Sequence, residues 1–174
     1  TDEGARILGG EGTGASPRRM LVSTVGDELK MAGMQSKVIG VSLKDRSAIL
    51  PAGRMANAAY WFDEKSGNFV SSNYYFGELP PWVQAVNKAR PADKYLGAEW
   101  KSITKPEAVF LKMPAAPDAK FYSQIEGSPF GNDIVSQFAQ KAIVEEKLGK
   151  GPGTDILAVS FSSNDYVGHR VGPD

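Results

Sequence analysis

The sequence predicts an α/β fold, in which helices cover both faces of a mixed or mainly parallel sheet. Two short apolar segments of strand type, at residues 37–43 and 154–161, are separated along the chain by stretches with helical periodicity. Between them, two aromatic segments flank a loop that contains glycine, which is typical of an antiparallel hairpin. Strands that alternate with helices in this order favour a layered αβα sheet.

The first third of the chain supplies a loop, two helices and a buried strand. Residues 4–17 are rich in Gly, Ser and Pro, which predicts a loop. A helix is predicted over residues 16–33, since it opens on a serine–proline pair suited to a helix start and ends on glycine. The strand at residues 37–43 follows, and then a short helix at residues 47–55 that Pro51 interrupts.

The rest of the chain supplies a hairpin, two helices and an irregular segment. Residues 58–62 and 68–76 are the aromatic arms of the hairpin, and residues 79–89 form a helix with proline near its start. Residues 91–130 contain five prolines and no sustained period, so they are predicted to be an insert or subdomain lying over the sheet. Residues 130–148 return to helical spacing before the final strand.

The charge composition gives no reason to expect a nucleic-acid partner or attachment to a membrane surface. The 174 residues contain 20 Lys and Arg against 20 Asp and Glu, for a net charge of +0. No apolar run is long enough to predict insertion into a bilayer. The absence of cysteine excludes disulfides and thiolate metal sites from these residues.

The first candidate site follows the strand at residues 37–43. Lys44 and Arg46 come directly after this strand, on either side of Asp45. These charges could simply open an exposed helix, with Asp45 near its positive end. Alternatively, Lys44 and Arg46 converge on an anion, because guanidinium supplies a planar fork for phosphoryl oxygens and ammonium a point charge.

The second candidate site follows the final strand. Asp165 and His169, which is the only histidine, lie four residues apart, and carboxylate with imidazole is a donor pair suited to zinc. A structural pair, with each other or with Arg170, is the alternative. The neighbouring Gly168 and Gly172 predict a tight, non-helical turn that presents both side chains from a loop.

Taken together, the chain contains six long motifs: Ser16–Leu29, Lys37–Gly53, Ala58–Phe62, Gly67–Tyr75, Leu79–Val83 and Ser162–Pro173. These motifs resemble the bacterial alkaline phosphatases of the type I phosphodiesterase/nucleotide pyrophosphatase group. The likeness covers most of the chain outside about residues 91–130.

The resemblance implies a hydrolase with two zinc ions and a Thr or Ser nucleophile that forms a phospho-enzyme. Asp165 and His169 match an Asp and a His that hold one zinc. Lys44 and Arg46 match the Lys-x-Arg pair that contacts the transferred phosphoryl group in the monoesterase branch. Such enzymes act on small phosphate esters and are typically exported, so we expect a periplasmic or secreted protein, with a monomer favoured.

The family's nucleophile and its remaining metal ligands have no counterpart in these residues. We therefore expect residues 1–174 to form a single α/β fragment of a larger phosphatase domain, with residues 91–130 as a possible cap. Two zinc ions are expected in the full-length enzyme, and absent or weakly bound metal with no appreciable turnover in the fragment alone.

Three other functions stay open at this point. A phosphodiesterase or nucleotide pyrophosphatase would use the same metals, although the Lys44–Arg46 pair argues against it. A sulfatase-like activity is a further alternative. A non-catalytic binding module could use the aromatic clusters Tyr60–Phe62 and Tyr74–Phe76 as a ligand groove, where core packing of the hairpin is the simpler interpretation.

Overall fold

A computed structural model describes residues 2–172 of the chain. Its helices are α1 (Val25–Met31), α2 (Asp45–Ala52), α3 (Pro81–Ala89), α4 (Ala119–Glu126), α5 (Pro129–Glu145) and α6 (Ser163–Val171), with a 3-10 turn at Asp93–Tyr95. Its strands are β1 (Ile7–Leu8), β2 (Val38–Ser42), β3 (Ala58–Asp63), β4 (Asn68–Ser72), β5 (Glu99–Lys101), β6 (Val109–Lys112) and β7 (Ile156–Ser160). Within the described residues, no helix has the length and apolar character needed to cross a membrane.

Five strands form one mixed sheet in the order β1-β4-β3-β2-β7. The strand β2 is parallel to both of its neighbours, β3 and β7. The predicted hairpin is present, since β3 and β4 are antiparallel and joined by a short loop. The short strand β1 lies inside residues 4–17, which were predicted to be a loop, and it pairs with β4 in antiparallel orientation. β5 and β6 form a separate two-stranded hairpin.

Helices cover both faces of the sheet, which confirms the predicted layered α/β fold. Successive side chains of a strand point to opposite faces. On one face, Val41 of β2 and Tyr60 of β3 belong to the main core, together with Phe138 of α5. On the other face, Trp61 of β3 packs in a smaller core with Ile49 of α2. The cluster Tyr60–Phe62 is thus buried as core, although Trp61 and Phe62 also reach the candidate site.

A close contact between α2 and β2 fixes the position of α2. A Cβ atom added to Gly40 of β2 would lie 1.9 Å from the backbone oxygen of Ala48. Only glycine therefore allows α2 to approach the strand this closely. Because α2 begins at Asp45, this packing also fixes the segment that carries Lys44 and Arg46.

Two predicted helix starts are wrong. The first helix begins at Val25 rather than residue 16, because Thr24 and Asp27 form a capping box that starts the helix there. Leu21, which lies inside the predicted helix, is 97% exposed. The second helix begins at Asp45 rather than residue 47 and contains Pro51 in its last turn, just before Gly53 ends it with a positive φ of 91°.

The segment at residues 91–130 is more regular than its sequence predicts. It contains the 3-10 turn, the β5–β6 hairpin and α4. Helix α4 begins at Asp118, whose side chain accepts a hydrogen bond from the Phe121 backbone. Phe121 and Ile125 are fully buried in the main core. Part of this segment therefore belongs to the body of the domain.

Candidate active site

The two candidate sites meet because β2 and β7 end at the same edge of the sheet. The strands are parallel neighbours, and Ser42 is the register partner of Ser160. The Ser42 hydroxyl lies 3.1 Å from the Ser160 carbonyl oxygen and 3.1 Å from the Ser162 hydroxyl. It also accepts a hydrogen bond of 3.2 Å from the Lys44 backbone N–H. These serines tie the two strand ends together, at the edge where open α/β sheets bind ligands.

Asp165 and His169 lie on a helix rather than in the predicted non-helical turn. Both belong to α6, where a spacing of four residues places them on the same face. The Asp165 Oδ1 and His169 Nε2 atoms are 3.5 Å apart. Gly168 is accommodated inside the helix, and Gly172, with a φ of 78°, follows its last residue. The glycines were assigned to a turn, but only Gly172 has a turn-like conformation.

The Lys44 ammonium lies between Asp165 and an aromatic ring. Its Nζ forms an ion pair with Asp165 Oδ2 and is 4.3 Å from the centroid of the Tyr166 ring. The Lys44 side chain is 16% exposed, so the fold encloses it despite its charge. The hydrogen bond from Lys44 holds the pKa of the Asp165 carboxyl below its ordinary value. This interaction favours the ionised form of Asp165.

Arg46 stands in the first turn of α2 with its side chain exposed. Its backbone N–H donates to Asp45 Oδ1 at 2.6 Å. Among residues 2–172, no carboxylate forms an ion pair with its guanidinium. Its positive charge also contributes to the lowered pKa of Asp165. The guanidinium therefore projects beside the same cleft with its fork of donors open to an anion.

Three of the four predicted site residues, Lys44, Arg46 and His169, line one cleft of about 490 Å³. Asp165 lies at its margin through its ion pair with Lys44. The cleft is lined by Leu43, Lys44, Asp45, Arg46, Trp61, Phe62, Asp63, Glu64, Glu126, Tyr166 and His169. Cations from the β2 end, carboxylates from the β3–β4 turn and α4, and the histidine of α6 therefore face one volume.

Sequence reasoning missed Glu126 and Tyr166 as members of this site. Glu126 is the last residue of α4 and is only 6% exposed. Burial, and then the charge of Glu64, raise the pKa of Glu126 to about 7. Glu126 lies in the segment without sustained periodicity, so the sequence carries no signal that could have placed it here. Tyr166 lies inside the motif that carries Asp165 and His169, but its role depends on contacts with other elements.

The Asp165–His169 pair fits two ligand positions of a zinc ion. Zinc takes oxygen and nitrogen ligands at about 2.0–2.1 Å, so two ligands of a tetrahedral ion lie about 3.3 Å apart. The observed separation of 3.5 Å between Oδ1 and Nε2 is close to this value. Within the described residues, no group of three or more His, Cys, Asp or Glu side chains is arranged to hold a metal ion. Two donors do not complete a tetrahedral metal site, which needs four ligands.

Comparisons with curated proteins identify bacterial relatives. The chain is 44% identical to alkaline phosphatase PhoV of Synechococcus elongatus over 91% of its own length and 33% of the relative's. It is 38% identical to alkaline phosphatase PafA of Elizabethkingia meningoseptica, again over 91% and 33%. It is 41% identical to a protein of Myroides odoratus named calcium-transporting ATPase, over 97% and 36%. The chain thus spans about a third of the length of these relatives. No protein-family model matches it.

Comparisons with solved structures identify the same kind of protein. The crystal structure of wild-type alkaline phosphatase PafA matches with a TM-score of 0.85 and 34% identity, over 99% of this chain and 38% of that one. A PafA variant with a threonine, an asparagine, a lysine and an arginine replaced matches with a TM-score of 0.79 and 35% identity, over the same shares of the two chains. The mixed sheet and its helices therefore form an incomplete α/β fold of the alkaline-phosphatase type.

Proposed function

This chain is a homologue of the bacterial alkaline phosphatases, and we propose that it is part of a zinc-dependent enzyme that hydrolyses phosphate monoesters. The observation that carries the proposal is the convergence of Lys44, Arg46, Asp165 and His169 at one edge of the sheet. This arrangement brings two donors for an anion beside a donor pair for a metal ion. Phosphoryl transfer needs both, since its catalysis consists mainly of positioning and charge stabilisation.

Lys44 and Arg46 bind the non-bridging oxygens of the transferred phosphoryl group. The Arg46 guanidinium offers two parallel N–H donors, and the Lys44 ammonium adds a charge held at a fixed place. A phosphate monoester is a dianion, whereas a diester carries one negative charge fewer. Two cations at this position therefore favour a monoester over a diester, which separates a phosphatase from a phosphodiesterase of the same superfamily.

Asp165 and His169 would hold one zinc ion, and a second zinc with its ligands would belong to the full-length protein. When bound, two zinc ions would supply activation of an oxygen nucleophile and stabilisation of the leaving oxygen. The proposed nucleophile is a Thr or Ser outside residues 1–174: it would take the phosphoryl group as the alcohol leaves, and water would then release phosphate from the phospho-enzyme. Lys44 keeps Asp165 oriented meanwhile, in the manner of partners that orient metal-bound carboxylates.

One of the compared structures supports the assignment of the anion-binding pair. In the PafA variant, the replaced lysine and arginine are two positions apart. Lys44 and Arg46 have the same spacing. We assign them the corresponding places in a chain whose fold matches that of PafA.

The proposal includes the setting in which the enzyme works. Its substrate is a small phosphate ester, and its balanced charge suits neither nucleic acid nor a membrane surface as partner. We further propose that the protein is exported to the periplasm or secreted and acts as a monomer, as the sequence resemblance implies.

The test replaces Arg46 by alanine in the full-length protein. We expect kcat/KM for a phosphate monoester to fall on the order of 10²-fold, since removing one charge-stabilising donor has this effect. Hydrolysis of the matched diester should fall much less, because a diester offers less charge for Arg46 to bind. Steady-state kinetics with p-nitrophenyl phosphate and bis-p-nitrophenyl phosphate measures both. Equal losses on the two substrates would contradict the assigned role, and higher activity of the wild type on the diester would favour a phosphodiesterase.

A further inference from the structure

The two edges of the main sheet differ in how they are protected. Within residues 2–172, β1 forms one edge with two residues, and β7 forms the other edge with five. Natural edge strands are kept from pairing with further strands by being very short, or by carrying charged residues or proline. β7 has the sequence Ile-Leu-Ala-Val-Ser, with no charged residue and no proline. Its sequence therefore lacks the features that protect a natural edge.

A comparison with the other strands places β7 among interior strands. The β5–β6 hairpin, which forms its own small sheet, carries Glu99, Lys101 and Lys112, and both lysines form ion pairs with Glu99. β7 instead has the character of β2, which reads Val-Ile-Gly-Val-Ser and is buried along its whole length between β3 and β7. A continuous apolar run of this kind is typical of an interior strand in a parallel sheet.

The open edge of β7 carries the backbone groups of Leu157 and Val159. The Ile156 N–H donates to the Lys37 carbonyl at 2.8 Å, so the backbone of Ile156 faces β2. Along a strand, the N–H and C=O groups of successive residues point alternately to the two sides. Leu157 and Val159 therefore point theirs away from β2. Within residues 2–172, no other strand pairs with β7, so these groups have no strand partner.

Only the side of β7 is open, because helices lie against its faces. α2 and α5 both contact β7, and Leu157 and Val159 pack against the main core. All five residues of β7 are nevertheless only half-buried, and Phe161, which follows them, is 51% exposed. A partner that covers these residues must approach in the plane of the sheet. A strand fits this position, since it also satisfies the free N–H and C=O groups.

We propose that β7 is an interior strand of a larger sheet, and that a parallel strand of the same polypeptide, from outside residues 1–174, pairs with Leu157 and Val159. The polypeptide of the PafA structure is long enough to contain such a strand, since this chain covers 38% of it. A second copy related by two-fold symmetry would instead place its own β7 antiparallel to this one. A parallel strand would end at the same edge as β2 and β7, beside the cleft.

Amide hydrogen exchange of the full-length wild-type protein tests the proposal, with Ala158 as the control within the same strand. The Ala158 N–H faces β2 whatever lies on the other side of β7. We expect the amides of Leu157 and Val159 to exchange within about 10-fold of Ala158, since amides paired on both sides of one strand open together. Exchange more than about 10-fold faster than that of Ala158 would show an open edge and overturn the proposal. Mass spectrometry or NMR at single-residue resolution measures these rates.

A crystal structure of the full-length protein identifies what lies beside β7. A parallel strand of the same polypeptide supports the proposal. A loop or a helix over the edge, or a strand from a second copy, overturns it. Protection of Leu157 and Val159 that rises with protein concentration would also indicate a second copy and count against the proposal.

These measurements do not depend on turnover. If the full-length protein hydrolyses no phosphate ester, the proposed function fails, and the exchange rates still decide whether β7 has a second neighbouring strand. If instead β7 is open in an active phosphatase, the extended sheet is wrong and the proposed function stands.

Discussion

The carboxyl ends of β2 and β7 carry the two halves of the candidate site, and within residues 2–172 the two strands and the side chains that follow them are buried to different degrees. β2 is buried along its whole length between β3 and β7. β7 is only partly buried and, within residues 2–172, has β2 as its only neighbouring strand. The side chain of Lys44, at the β2 end, is 16% exposed. The side chains of Asp165 and His169, after β7, are 54% and 79% exposed.

The difference suits the two kinds of chemistry that we propose. A cation that must bind a phosphoryl group gains from being fixed in advance, since little ordering is then needed when the substrate binds. A metal site needs three or four ligands, and Asp165 with His169 supplies two. Their exposure leaves room for further ligands to approach. The enclosed position of Lys44 after β2 therefore suits a fixed charge. The exposed positions of Asp165 and His169 after β7 suit a site that further ligands must reach.

The largest expected effect comes from removing the proposed metal ligands that follow β7. In the full-length protein, Asp165→Ala and His169→Ala should each lower phosphatase kcat/KM by on the order of 10³-fold, because the metal supplies most of the charge stabilisation. Each variant should also lose bound zinc, which elemental analysis of the purified protein measures. Asn164→Ala, on the same helix, is the control and should keep both zinc and activity. Full zinc content in the Asp165 and His169 variants would exclude them as ligands.

The second prediction compares Gly40 of β2 with Gly168 of α6, the helix that follows β7. Gly40→Ala in β2 should destabilise the fold by more than about 3 kcal/mol, because its Cβ would lie 1.9 Å from the Ala48 backbone oxygen. Gly168→Ala in α6 meets no atom within 4 Å and should stabilise the helix by up to about 1 kcal/mol. Urea unfolding of both variants measures the difference. A Gly40 variant as stable as the wild type would show that α2 can shift away from the sheet.

A smaller effect, which depends on pH, concerns Glu126, a buried residue that lines the same cleft. Its pKa is raised from 4.5 to about 7, so the folded state binds this proton more tightly than the unfolded state. The contribution of Glu126 to stability therefore falls as pH rises from about 4.5 to 7 and stays low above that. Glu126→Gln removes this loss and should stabilise the protein at pH 8 by up to about 3 kcal/mol relative to pH 4.

Urea unfolding of the metal-free protein at pH 4 and pH 8 measures this change. The exposed Glu107→Gln variant is the control and should behave like the wild type at both values. A stability difference between Glu126→Gln and the wild type that does not vary with pH would show that the pKa of Glu126 is the same in the folded and unfolded states, which contradicts the prediction.

Several elements could be predicted from local sequence alone. The strands β2, β3, β4 and β7 and the helix α5 have long apolar periods with clear boundaries, and all were predicted within a few residues. The first helix was predicted too long, since its serine–proline start signal competes with the capping box at Thr24, and the sequence cannot rank the two. Helix α4 was missed because its apolar face lies between prolines that indicate an irregular segment.

The amino-acid pattern predicted the layered α/β fold, which the structure confirms, and it proposed Lys44, Arg46, Asp165 and His169 as site residues. They follow strand ends, and parallel strands bring such residues to one edge. The folded structure was needed to show that Asp165 and His169 lie on α6 and that the Tyr166 ring lies beside the Lys44 ammonium. The reason is that Lys44 contacts Asp165 and Tyr166, which lie more than 100 positions away in the sequence. No local sequence pattern records contacts between residues so far apart.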